Sequence, residues 1–425
     1  MKGHALLLFW LLVMLVPVPV SQTNHAPMIK SISVSVYVPH AGISISGNDD
    51  FANQVSSEGW LGNGSPSNPY VIESLNITGS EISVSINRVS ASFVIANCEL
   101  ATTSQTSPCF SLNLTSNGRI EGCVMRSTNR GIDFYHANNC ILDLNTVEAY
   151  TNALLVFDCL NCTFTNNVFQ NGGVELWSEN DIGYRHAFVN NTVHGRQLGY
   201  FWNVTGGIFD ASSFAQLIVI GSRNLVFRSG QFWGTPCGSL FVACKICTLY
   251  QSSVYNNTFG IVVTNCSSSS FFSINMTILN NNIFGNEQGM LVSGTLYGRV
   301  VGNTIYSNLA YGILLTSASH TQVYGNSFSN NGVANAIDNG WASSWDDGVD
   351  TGNQWSDYSG YGVYQIPGSA GSVDHYPRLT YANTTNGIID GLLGSDLALA
   401  IWFSLSIAVV AMPVFFMVRT RRSPS

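Results

Sequence analysis

A short unit recurs through this 425-residue chain at spacings of 22 to 25 residues, and that repeat constrains the fold more than any other feature. In each copy a small residue or Asn is followed two places later by an apolar one: Cys98 with Leu100, Cys123 with Met125, Asn145 with Val147, Asn167 with Phe169, Asn191 with Val193. After an interruption the units resume around Asn257, Asn281, Asn303 and Asn326, with a poorer copy at 230–232. A second apolar segment follows most units, opening on Gly131, Gly173, Gly260, Gly289 and Gly312. A period near 22 with two or three short strands is the length of one coil of a parallel β-helix. Leucine-rich repeats have a similar period, but their leucine pattern is missing. The chain therefore reads as all-β, a right-handed parallel β-helix of about ten coils stacked about 4.8 Å apart, with a cap at each end. Asn side chains at one corner should bond along the axis as a ladder.

Composition agrees. Charged residues make up 9% of the chain and Gly numbers 40, which suits short strands and turns better than helices. A net charge of −8 with lysine only at Lys2, Lys30 and Lys245 leaves no basic stripe, which excludes nucleic acid as a partner.

The two ends are apolar. Residues 1–22 have the layout of a secretory signal peptide, with an uncleaved anchor as the alternative. Residues 397–418 form an uncharged run long enough to be a transmembrane helix, followed by Arg419, Arg421 and Arg422. The expectation is a single-pass protein of the cell membrane, its large domain extracellular and its tail (419–425) cytoplasmic. Ten N-x-S/T triplets, at Asn63, Asn76, Asn113, Asn161, Asn190, Asn203, Asn256, Asn265, Asn275 and Asn383, agree with an exported glycoprotein. The ten cysteines could then be oxidised. Stacking places Cys98 beside Cys123 and Cys140 beside Cys162, either as disulfides or as reduced buried ladders.

Three stretches resemble a known family. Gly47 to Phe51 with Trp60 to Gly64 and Asn68 to Glu73, then Asn191 to Trp202, then Trp345-Asp346, Gly352 to Tyr358 and Asp374 to Pro377 are similar to the N-terminal cap, mid-helix insertion and C-terminal cap of NosD-like β-helix proteins. These include the carbohydrate-binding and sugar-hydrolase type found on archaeal surfaces. The resemblance spans roughly residues 45 to 380. It departs from the family where an Asp/Gly-rich segment gives way to Gly360-Tyr-Gly-Val-Tyr-Gln365. The layout expected is an N-terminal cap with first strands over 23–90, repeats over 91–335 with an insertion about 194–224, a C-terminal cap over 336–379, and a linker over 380–396.

The family name implies copper, since its namesake assists copper-site assembly in nitrous oxide reductase. This chain has no Met-rich or His/Met cluster; His186 and His194 stand alone, which argues against copper. Cys237, Cys244 and Cys247 lack a fourth zinc ligand. Asp346, Asp347, Asp350 and Asp357 could bind calcium or simply cap turns, while Trp341, Trp345 and Trp355 shield the last coil. Hydrolysis or lysis of a polysaccharide needs converging carboxylates, or carboxylates with a basic residue. No such cluster is evident, and no catalytic residue is assigned. Convergence of Asp133, Asp158 or Asp181 with Arg130 or Arg185 would favour chemistry after all. The expectation is a non-catalytic binding or structural module for glycans or neighbouring surface proteins, with Tyr200, Trp202 and Trp233 as candidate contacts. A lyase or hydrolase is the alternative, and an accessory role in copper assembly a third.

Overall fold

The computed structural model describes residues 37–180, 182–265 and 273–379. The expected signal peptide (1–22), the expected transmembrane run 397–418 and the basic tail lie outside them. Among the described residues no helix is long and apolar enough to cross a membrane.

The body is a parallel β-solenoid of about 13 turns, more than the ten that the spacing suggested. The extra turns include early coils such as that of Leu75–Gly79, where Leu75 takes the column position that Cys98 holds one coil on. A helix, Asn48–Glu58, closes the first coil. Its buried Phe51 and Val55 sit four apart on one face, and Phe51 packs on Tyr70 and Phe93 with ring centroids 4.7 and 5.5 Å away. Asp50 in its first turn accepts the Ser46 N–H, and Gly59 ends it in the left-handed conformation.

One 14-stranded sheet runs the whole length, and each half of the chain adds two shorter sheets to it. In the first half these are a front sheet, from Ile43–Ser46 to Gly173–Trp177, and a back sheet, from Tyr70–Glu73 to Ala187–Val189. In the second half they are a six-stranded sheet, Thr205–Asp210 to Gln322–Tyr324, and a seven-stranded sheet, Gln231–Trp233 to Arg378–Leu379.

The halves are two solenoids with separate cores. They join at the hairpin of Thr192–Val193 and Arg196–Trp202, which is antiparallel where other neighbours in the long sheet are parallel. His194 and Gly195 make its turn, both with positive φ as tight hairpins require. Val193 pairs with Arg196, so Leu198 and Tyr200 continue on the face that meets the first core. Phe201 and, in the next strand, Leu217 and Val219 face the second core. Reversing strand direction while the sheet keeps growing thus moves the core to its other face. The expected insertion near 194–224 is this joint.

The long sheet's first-core face then packs on the last coil of the first solenoid. Gln216, fully buried, accepts the Val174 N–H (2.9 Å) and donates to the Val174 and Cys237 carbonyls (2.6 and 2.9 Å). It stands in for the strand that the edge Gly173–Trp177 would otherwise lack. The fit leaves a cavity of about 10 Å³ beside Val174, Ile218 and Leu240, room for no more than a water molecule.

Three corner ladders hold the coils in register. The first runs Cys98, Cys123, Asn145, Asn167, Asn191, with each Asn Oδ1 accepting from the residue one coil before. In the second solenoid Ser252, Asn281, Asn303, Asn326 and Asn353 form one ladder, and Thr235, Asn257, Asn286, Asn308 and Asn331 another. Asn257, expected in line with Asn281, belongs to the second of these, because aligned positions there lie 29 residues apart, as Ser252 and Asn281 show.

Candidate functional site

The outer face of the seven-stranded sheet carries two parallel columns of unlike chemistry. Phe232, Val254, Ile283, Ile305 and Phe328 point into the core, so the residues on either side of each point out. One column reads Gln231, Ser253, Asn282, Thr304, Ser327. The other reads Trp233, Tyr255, Phe284, Tyr306, Ser329. The four rings stack nearly parallel, with centroids 6.5, 5.1 and 5.0 Å apart, and His194 extends the stack at 4.6 Å from Trp233. His194 Nε2 bonds the Gly234 carbonyl, and burial lowers its pKa, which keeps the ring neutral. Arg196 anchors the end of the strip through the Gln231 carbonyl. Five coils give an uncharged strip on the order of 20 Å long, with amide and hydroxyl groups beside ring edges and tyrosine hydroxyls.

Trp233 lies on this strip; Tyr200 and Trp202 do not. Tyr200 is half-buried, its ring 4.7 Å from Phe188, and its hydroxyl donates to the Tyr184 carbonyl at 2.7 Å. Trp202 is exposed with the Arg185 guanidinium 5.8 Å over its ring.

The four C-terminal carboxylates serve turns. Asp346 accepts from the His375 backbone N–H and ring and from the Gly348 N–H. Asp347 accepts from the Val349, Asp350 and Thr351 amides, which hold it down to about 2. Asp350 bonds Thr351, and Asp357 bonds Asn335 and Tyr364. Trp345 and Trp355 are fully buried over the last coil, whereas Trp341 is 70% exposed. Asp374, expected only as part of the cap, ends a ladder by accepting from the Asn353 N–H (2.7 Å) and Trp355 Nε1 (2.9 Å).

The described cysteines are buried free thiols, and Cys98 with Cys123 and Cys140 with Cys162 occupy adjacent coils as expected. His186 is engaged through both ring nitrogens, by Cys162 N–H and the Gly183 carbonyl. Among the described residues no three His, Cys, Asp or Glu side chains are grouped to hold a metal ion.

One acidic grouping does converge with arginine. Asp133, its side chain 2% exposed, lies 3.2 Å from Arg130, and its Oδ1 has no partner. Burial first, and Glu175 second, raise it to about 6 against the pull of Arg130. Glu175 sits in the same column two strands away, bonded by Trp177 Nε1 and Asn152, and burial raises it too. Leu155 stands between the two carboxylates. Asp158 is engaged by Ser178 and Glu179, and Asp181 lies outside the described residues.

Residues 190–360 match the family described as periplasmic copper-binding protein (NosD). No curated protein matches the chain. Solved structures similar to it include a periplasmic alginate epimerase AlgG double mutant (13% identity, 80% of this chain and 84% of that one, TM-score 0.33). The A-module of the Azotobacter vinelandii mannuronan C-5 epimerase AlgE6 is another (15%, 74% and 86%, TM-score 0.28). A third is the catalytic unit of an α-1,3-glucanase from Streptomyces thermodiastaticus (11%, 75% and 71%, TM-score 0.28). These likenesses say nothing of this chain's chemistry.

Proposed function

We propose that this chain, a NosD-like β-helix repeat protein, is a non-catalytic carbohydrate-recognition module displayed outside the cell, and that it binds an extended neutral glycan along the seven-stranded sheet. The observation that carries the reading is the paired column of Gln231, Ser253, Asn282 and Thr304 beside Trp233, Tyr255, Phe284 and Tyr306. Amide and hydroxyl groups repeating at the strand spacing suit a polymer of hydroxyl-bearing units, and aromatic edges supply apolar contact at low entropic cost. The ten residues of the two columns are uncharged, which suits a neutral polymer. The two apolar termini supply the reading of export and anchoring.

A lyase or hydrolase reading has the Arg130–Asp133 pair in its favour and the burial of Asp133 against it. One experiment separates the two. The full-length protein is titrated with a panel of neutral and acidic polysaccharides while soluble products are followed. Binding without product release, weakened about tenfold by Trp233→Ala and unchanged by Trp202→Ala, is the expected result. Equal binding by Trp233→Ala would remove the strip from the site, and product release abolished by Asp133→Asn would establish the enzyme.

A further inference from the structure

Seven of the ten N-x-S/T triplets fall into two structural classes. Asn161, Asn190, Asn203, Asn256 and Asn275 all stand exposed at coil corners with φ between 52 and 55°. Their side chains leave the solenoid where the backbone turns. Asn161 and Asn190 each spend one amide hydrogen on the Asn one coil before, Asn139 and Asn166, at 2.9 and 2.8 Å. The second hydrogen stays available. The hydroxyl residues that complete these triplets, Thr163, Thr192, Thr205, Thr258 and Thr277, are half-buried or exposed.

Asn76 and Asn113 differ. Both are half-buried within strands, Leu75–Gly79 and Phe110–Asn113. Asn76 Oδ1 is occupied by the hydroxyl of its own triplet, Thr78, at 2.9 Å. Thr115, which completes the Asn113 triplet, is 1% exposed and bonds inward to the Asn113 and Ile86 carbonyls. A bulky group on either Asn would sit between strand neighbours on a sheet face.

The corners themselves are unequal. In the second solenoid Asn203 and Asn275 lie where the long sheet meets the six-stranded sheet, and Asn256 where the seven-stranded sheet meets the long one. The third corner, between the six- and seven-stranded sheets, passes through Ser229, Gln251, Asn280, Gly302 and Gly325 and has no triplet. It borders the polar column of the strip.

We infer that the five corner asparagines are N-glycosylation sites, that Asn76 and Asn113 are not, and that the corner beside the polar column is kept free of glycan so that a polymer can reach it. The donor is a lipid-phosphate-linked oligosaccharide. A bond forms between the anomeric carbon and Asn Nδ2, the bond from that carbon to the carrier phosphate breaks, and the Nδ2 proton passes to solvent, with no change of oxidation state. The modification arm rests on the export reading alone, and only the free-corner arm rests on the proposed strip.

Glycopeptide mass spectrometry on the full-length protein, purified from the cells that make it, tests the first arm. Glycan at the five corners with unmodified Asn76 and Asn113 peptides is expected. Unmodified corners, or comparable occupancy at Asn76 or Asn113, would overturn the assignment. Asn282→Thr tests the second arm, because it installs a triplet at Asn280, an exposed corner with the same φ of 54°. Glycosylation of Asn280 should weaken polysaccharide binding by about tenfold relative to the same variant made without glycan. Undiminished binding by the glycosylated variant would refute the free corner and leave the five sites standing.

Discussion

Substituting Asp133 with Asn is expected to raise stability above pH 6 and to leave it nearly unchanged at pH 4. The carboxyl titrates at about 6 in the folded chain against 3.8 ordinarily, chiefly because burial penalises its charge. Between those values the folded state holds a proton that the unfolded state has lost. Stability therefore falls as pH rises through this window and is constant above it. A shift of about two units corresponds to about 3 kcal/mol. The groups facing Asp133 are Arg130, Tyr135 and Glu175. The pull of Arg130 is already contained in that shift, so losing the pair takes nothing further from the gain. Unfolding by denaturant at pH 4 and pH 8, on both proteins, measures the difference. Parallel pH dependences, or a less stable variant at pH 8, would show that the Arg130 pair outweighs burial and refute the reasoning.

Two further substitutions probe the stacking. Asn303→Ala deprives the Asn281 N–H and amide of their acceptor (2.9 and 3.0 Å) and the Asn326 Oδ1 of a donor, and should cost about 2 to 4 kcal/mol in chemical denaturation. Gly289→Ala would put a Cβ 2.4 Å from the Gly312 carbonyl and is expected to prevent recovery of folded protein, whereas Gly79→Ala, with nothing nearer than 3.9 Å, should be recovered normally; equal yields would show that the coils can part at Gly289.

Much of this architecture was legible because one coil is a short, repeated sentence. Asn145, Asn167 and Asn191 bond along the axis as their spacing implied, and Cys98 and Cys123 continue the column as small buried side chains. The apolar residue two places on, such as Val147 or Phe169, lies in the core because strand side chains alternate. Legibility failed where the coil length changed. Counting back about 24 residues from Asn281 lands on Asn257, although its true neighbour, 29 residues back, is Ser252, a residue of different type. The candidate contacts failed for another reason. Tyr200, Trp202 and Trp233 look alike in sequence, but which sheet each joins depends on the strand reversal at His194–Gly195 and on pairing with partners as distant as Ile218, Ile220 and Tyr255.

That reversal did leave a mark in the sequence. Strands with one face on a core and the other in solvent alternate apolar with polar, as Val84–Asn87 and Thr248–Tyr250 do. Phe214–Ile220, Cys237–Val242 and Phe259–Thr264 do not alternate: their interiors are buried on both sides, reading Leu-Ile-Val-Ile, Leu-Phe-Val and Ile-Val-Val. A β-helix strand has an inside and an outside, so a continuous apolar run within one calls for a second body against its outer face. Here that body is the last coil of the first solenoid, and Gln216, the polar break in the first run, meets its unpaired edge at Val174. A chain of this repeat type in which two or three successive strands lose alternation just after a two-residue turn should therefore be expected to change its core from one face of the sheet to the other.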